Sequence, residues 1–229
     1  MQHGSSKKFM AGALMMVCFI AVLVLLFLPL FEGKNGLDYL DNLYNSISKG
    51  SAYYIPKVKE ESKPLAGKNV DLKLVLADAK EATLSAALLK AAGTQVSQSQ
   101  ADLTVKGDMG KILSSCLDDS DDLFHNRGAK ITKRYGKNER LVVFTWWQTL
   151  KALEKDLNRQ KLFAMAKIVK TAQAKAVECS YNFYTIKPQN IGDRWGIVLF
   201  SLIFYVIYTV WYGFSVMYMF EGAGFRLGH

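Results

Sequence analysis

A chain of 229 residues that is half hydrophobic yet carries a formal net charge of +9 is too apolar for a disordered or purely solvated protein. Three cysteines, none in a CxxC or CxxCH pair, exclude a disulfide-dense scaffold, a zinc finger and a c-type haem attachment. No phosphate-binding loop, G-x-S-x-G elbow or H-E-x-x-H helix is present, so the motifs give catalysis no foothold.

In chain order, residues 1–8 form a short tail with Lys7 and Lys8. The run from Phe9 to Phe31 then lacks any charged side chain. At 1.5 Å rise per residue it can cross a hydrocarbon core of about 30 Å. A cleaved signal peptide is the competing reading, but Leu28-Pro29-Leu30-Phe31 offers no small-x-small cleavage site, which favours an uncleaved signal anchor. Residues 32–69 are a juxtamembrane amphipathic helix and connector. Leu37, Leu40, Tyr44 and Ile47 recur at helical intervals, Pro56 predicts an extended turn, and residues 57–68 connect.

Residues 70–145 are expected to form the core of an α+β domain. Val70–Leu76 alternates as a half-buried strand, Asp78 caps a helix that Gly93 stops, and residues 94–106 hold a second strand. Gly107-Asp108 opens a helix through Cys116. Two further strands, 129–134 and 140–144, are predicted to flank a hairpin turn at Tyr135-Gly136-Lys137-Asn138. The order β, α, β, α, β, β suggests an α+β sandwich. From Trp146 to Tyr184 there is no Gly or Pro, so residues 146–187 read as a long C-terminal stalk helix.

A second apolar run, 195–220, precedes a tail of residues 221–229. The fold class expected is therefore a membrane protein: two transmembrane helices enclosing one soluble α+β sandwich domain with a stalk. Within the second run, Ser201, Tyr205, Tyr208, Tyr212 and Ser215 recur at steps of four, three, four and three, with Thr209 beside them. Those steps return to one helix face, and lipid offers hydroxyls no partners, so the stripe is expected to face protein. Tyr205, Tyr208 and Tyr212 sit too near mid-span for all three to be interfacial belt residues. Gly192 and Gly196 form a G-x-x-x-G before the stripe. The partners so implied are the membrane and other transmembrane subunits or a second copy of the chain.

Lys7 and Lys8 favour a cytoplasmic N-terminus, whereas Lys187 and Arg194 before the second run, with only Arg226 after it, vote the other way. The first helix usually dominates. Both termini are therefore expected in the cytoplasm and the domain outside, which in a bacterium is the periplasm. Cys116 and Cys179 can there form a disulfide or remain reduced thiols.

Three clusters are the remaining candidates for chemistry. Asp118, Asp119, Asp121 and Asp122 lack the spacing of a calcium loop and read as a solvated helix end. His125 lies close by without a second histidine in the domain, so neither metal nor cofactor is expected. Arg127, Lys130, Lys133, Arg134, Lys137 and Arg140 form a basic patch that is either a solvated turn or a site for anionic lipid, an acidic polymer or an acidic partner. No nucleic-acid reader motif accompanies it. Trp146 and Trp147 are expected to be packing anchors.

In layout, two spans around an α/β domain with a long helix, the chain resembles the polysaccharide co-polymerases, although no motif is shared. That layout would imply a regulator of surface-polymer export. An extracytoplasmic sensor signalling through a partner is a third expectation. A non-enzymatic, membrane-anchored assembly subunit of a bacterial envelope complex is the leading one.

Overall fold

The computed structural model describes residues 5–31 and 33–225. It is mostly helical, with one small sheet, and divides into two units: residues 1–50 with 188–229, and residues 51–187. The charge expectation resting on Arg226, and the outer ends of both tails, lie outside the described residues.

The first unit holds helices α1 (Ser6–Phe27), α2 (Gly36–Ser51, up to Gly50) and α10 (Ile191–Gly222). Both α1 and α10 are long and apolar enough to span a bilayer. They run antiparallel in close contact, because each presents a glycine where the other's backbone passes. A Cβ on Gly12 would lie 2.7 Å from the Met219 nitrogen and 2.9 Å from the Ser215 carbonyl oxygen. A Cβ on Gly222 would likewise meet the backbone of Phe9. Small residues at such crossings let two helices gain dispersion contacts that lipid would otherwise supply. At one end Lys8 and Glu221 form an ion pair of 2.9 Å, and further along Phe19 stacks on Tyr208 with ring centroids 4.2 Å apart.

Pairing Phe9 with Gly222 and Phe19 with Tyr208 and Tyr212 brings Phe27, the end of α1, level with about residue 202 of α10. Before that level α10 meets α2 instead: Tyr44 shares a 2.6 Å hydrogen bond with Ser201, and the Gln189 amide donates to the Ser46 carbonyl at 3.0 Å. Asn35 starts α2 by accepting from the Asp38 amide at 2.8 Å.

The second unit begins with α3 (Ile55–Ser62), where a connector was expected. Pro56 is tolerated because it occupies the first turn, whose amides have no intrahelical partner. Strand β1 (Asn69–Val75) turns Val70, Leu72 and Leu74 inward, and α4 (Ala79–Ala91) follows, capped by Asp78, which accepts from the Glu81 amide at 2.7 Å. The single second strand expected over 94–106 is a hairpin, β2 (Gln95–Ser99) and β3 (Asp102–Asp108), turning at Gln100 with φ +52°. The sheet is antiparallel in the order β1-β3-β2, with Leu72 opposite Val105 and Leu74 opposite Leu103.

Asp108 then caps α5 (Met109–Phe124), its carboxylate accepting from the Gly110 amide at 2.8 Å. The two remaining predicted strands are helices: α6 (Gly128–Tyr135) and the start of α7 (Glu139–Arg159). Gly136, at φ +63°, is a helix C-cap rather than a hairpin residue, and Asn138 is the N-cap of the next helix, accepting from the Arg140 and Leu141 amides at 3.0 and 3.2 Å. One turn motif thus joins two helices where the same letters would also suit two strands.

The long stalk is also corrected. Lys161 adopts φ +62°, the Leu162 amide donates to the Leu157 carbonyl at 2.9 Å, and the chain reverses. Helix α8 (Phe163–Ala172), a π-helical turn (Gln173–Glu178) and α9 (Cys179–Phe183) pack back against the domain. Val143, Leu150, Leu153 and Leu157 of α7 join the sheet's buried residues, Met109, Ile112 and Leu113 in one core. Helix α7 also guards the sheet edge: Asp156 accepts from the Lys73 amide at 3.0 Å, and Gln160 donates to the Asp71 carbonyl at 2.9 Å. Those bonds occupy the open side of β1 that another strand could pair with.

Candidate functional site

Beyond the core, α5 and α6 bring the acidic cluster and the basic patch together. Asp119 is fully buried, accepting from the Tyr135 hydroxyl and the Trp146 indole N–H, each at 2.7 Å, and from the Arg134 guanidinium. Asp121 and Asp122 grip Arg127 at 2.8 Å each, Asp121 also accepts from Tyr53 at 2.5 Å, and Asp118 pairs with Lys59 at 2.7 Å. Lys130 stands 3.8 Å from Asp122. Thus Arg127 and Arg134, and more loosely Lys130, neutralise the domain's own carboxylates, whereas Lys133 and Lys137 are exposed. The segment that the sequence left as either a solvated turn or a binding patch is thus in part an ion-pair network, and the cluster expected to be a solvated helix end supplies its carboxylates.

Burial raises the Asp119 carboxyl above its usual range, offset by Tyr135, Trp146 and Arg134. Burial also pushes up Asp121, but the Tyr53 hydrogen bond and the nearby cations outweigh it and its carboxyl is lowered. Tyr53 is pushed up to about 12, first by burial and then by Asp121. His125 packs edge-on to the Tyr53 ring, with its Nδ1 3.0 Å from the Asp121 carbonyl oxygen. Among the described residues, no group of three or more His, Cys, Asp or Glu side chains could hold a metal ion.

Of the two alternatives for Cys116 and Cys179, a disulfide or reduced thiols, the structure has the reduced thiols. Cys116 is buried, which drives its thiol well above its usual value, and Cys179 donates to the Ala52 carbonyl at 3.2 Å.

On α10 the hydroxyl residues divide. Ser201 is held by Tyr44, Tyr208 lies on Phe19, and Ser215 is fully buried beside Gly12 and donates to the Trp211 carbonyl at 2.8 Å. Thr209 donates to the Tyr205 carbonyl at 2.7 Å, and Tyr205 and Tyr212 remain exposed, the Tyr212 ring tilted against Phe19 at 5.3 Å. Tyr205 lies within about one turn of the level where α1 ends. Gly192 sits in the first turn, donating to the Asn190 side chain at 2.9 Å, and Gly196 has open space around it. The close helix approach is made by Gly12 and Gly222 instead.

An open apolar cleft of about 210 Å³ is the site the sequence reading passed over. Val143, Phe144 and Trp147 of α7 form one wall, and Val177, Glu178 and Tyr181 the other. Its two tryptophan neighbours separate by role: Trp146 points into the core onto Asp119, while Trp147 is half-buried and stacks on Phe144 at 6.1 Å. Phe144 is 44% exposed. The π-helical turn shapes the second wall, and Gln173 fixes it by donating to the Trp147 carbonyl at 2.9 Å. Wide turns of this kind often mark functional sites.

Cations frame this cleft along α7. Arg140 lies over the Tyr181 and Tyr184 rings, 5.4 and 5.1 Å from their centroids, and Lys151 lies 5.2 Å over Trp147. Arg140, Phe144, Trp147 and Lys151 follow a four, three, four spacing, so a cation–aromatic–aromatic–cation stripe was present in the sequence. Compared with known protein families, characterised proteins and solved structures, the chain matches none.

Proposed function

We propose that this chain is a non-catalytic, membrane-anchored assembly subunit whose second unit captures a protein partner. The observation that carries the reading is the aromatic cleft between α7 and the π-helical turn. An exposed Phe144, with half-buried Trp147 and Tyr181 beside it, lines an open apolar pocket, and such pockets are where interfaces concentrate their binding energy. The two apolar helices are the anchor in this reading. Their orientation follows Lys7 and Lys8, with both termini cytoplasmic, the domain extracytoplasmic and the partner a component of a bacterial envelope complex.

A photo-crosslinking amino acid at position 144, introduced in the full chain in its native membrane, tests the reading. A discrete protein adduct at 144, absent when the same group is placed at exposed Lys90 on α4, is the expected result. No adduct at 144, from a chain shown to be inserted and folded, would reject it.

A further inference from the structure

Resting on that reading, we infer that the cleft takes an acidic protein segment carrying one large apolar side chain, in the order acidic, apolar, acidic. The size of the cleft sets the centre of that pattern. At about 210 Å³ it falls below the roughly 300–1,000 Å³ of sites that enclose a cofactor or drug-sized ligand. It is instead the size for a single leucine, methionine or phenylalanine side chain to enter as an anchor, against Val143, Phe144, Trp147 and Val177.

The flanks follow from charge. Arg140 and Lys151 stand about 16 Å apart along α7, one beyond each end of the Phe144–Trp147 pair. Neither forms an ion pair within 4.0 Å among the described residues, although Glu139 acts on Arg140 and Glu81 on Lys151 at longer range. Both are instead stacked on aromatic rings, where a cation keeps its charge available to an incoming anion. By contrast, Arg127 and Arg134 are already held by aspartates, whereas these two cations flank the cleft's aromatic residues on the same helix. Glu178, on the opposite wall, repels a carboxylate arriving at the centre and thereby places the partner's acidic residues at the two ends.

The test uses the full chain in detergent micelles and short fluorescein-labelled peptides read by anisotropy. One peptide carries a central leucine with aspartate and glutamate on both sides; one replaces the acids by lysines; one replaces the leucine by alanine. The acidic leucine peptide is expected to bind roughly tenfold tighter than either control. Arg140→Gln with Lys151→Gln should erase the acidic preference while keeping the leucine-over-alanine difference. Phe144→Ala, at an exposed position that the core does not need, should erase the latter. Equal binding of the acidic and lysine peptides overturns the inference, as does an acidic preference that survives loss of both cations. Displacement of the acidic peptide by phosphatidylglycerol nanodiscs, or self-association abolished by Phe144→Ala, would overturn it in favour of lipid or a second copy. A protein adduct at position 144 without acidic selectivity would leave the assembly reading standing and reject only this inference.

Discussion

Removing the carboxylate of Asp119 should be among the most damaging single changes to the second unit. Asp119→Ala strands the Trp146 indole N–H, which is fully buried and has no route to water, at a cost of about 1–3 kcal/mol. The Tyr135 hydroxyl is half-buried and can turn outward, adding about 0.5–1.5 kcal/mol. Arg134 is 42% exposed and rehydrates, so its lost pairing adds no more than about 1 kcal/mol. The total is on the order of 2–5 kcal/mol, and at about 3 °C per kcal/mol for a unit of this size the melting temperature should fall by about 6–15 °C. Thermal unfolding of the full chain in detergent, followed by near-ultraviolet circular dichroism and tryptophan emission, measures it. Asp119→Asn retains an acceptor for Trp146 and should lose about half as much. A fall below about 2 °C for Asp119→Ala would show that the cluster is dispensable and that the core around Trp146 stands without it.

The Tyr53 phenol, raised from 10.0 to about 12 by burial and Asp121, makes the alkaline limb informative. Its contribution is complete below the ordinary value and is lost as pH rises through the folded one, so stability should decline between about pH 10 and 12. Tyr53→Phe should make that decline shallower, with Tyr135 and Tyr184, also raised, supplying the remaining slope; urea midpoints across the window read it, and an unchanged slope would discount the Tyr53–Asp121 bond. In the first unit, Gly12→Leu should separate α1 from α10, since even a Cβ there overlaps the Ser215 and Met219 backbone. Cysteines at Phe19 and Tyr208, in a chain whose native cysteines are serine, should crosslink efficiently and lose that ability by several-fold with Gly12→Leu. Carbonate extraction should show membrane retention unaltered, and undiminished crosslinking would mean the glycine contact does not hold the pair.

What the sequence disclosed follows from how local each signal is. Helices α1 and α10 were legible because length and apolarity are properties of one segment. Asp78, Gly93 and Asp108 likewise fixed the ends of α4 and α5 within a few residues. The two false strands arose at Gly136 and Asn138, whose left-handed and capping preferences serve a helix corner as readily as a hairpin. Only the tertiary demand that Ile131, Val142 and Trp146 all reach one core decides between them. The stalk failed for the opposite reason: Lys161 takes a left-handed conformation that its side chain does not announce, and the reversal is fixed by contacts of α8 with the rest of the domain.

The same distinction governs the functional surfaces. Six basic residues between 127 and 140 count as a patch only if nothing in the fold opposes them, and helix α5 carries the opposing aspartates, from Asp121 and Asp122 just ahead of Arg127 to Asp119 fifteen residues before Arg134. Charge density along a sequence therefore overstated what reaches the surface as free charge. Arg140 escapes this cancellation because it begins α7 and leans over Tyr181 and Tyr184 instead of toward α5. Once α7 is a helix, its four, three, four spacing with Phe144, Trp147 and Lys151 follows without further information. Its opposite wall does not, because the chain reversal at Lys161 and the wide turn at Gln173–Glu178 are needed to bring Val177 and Tyr181 across from it. The stripe is thus encoded locally and the cleft only by the fold, so separating the walls with a helix-straightening change at Lys161 should abolish the crosslink expected at position 144 while leaving the stripe intact.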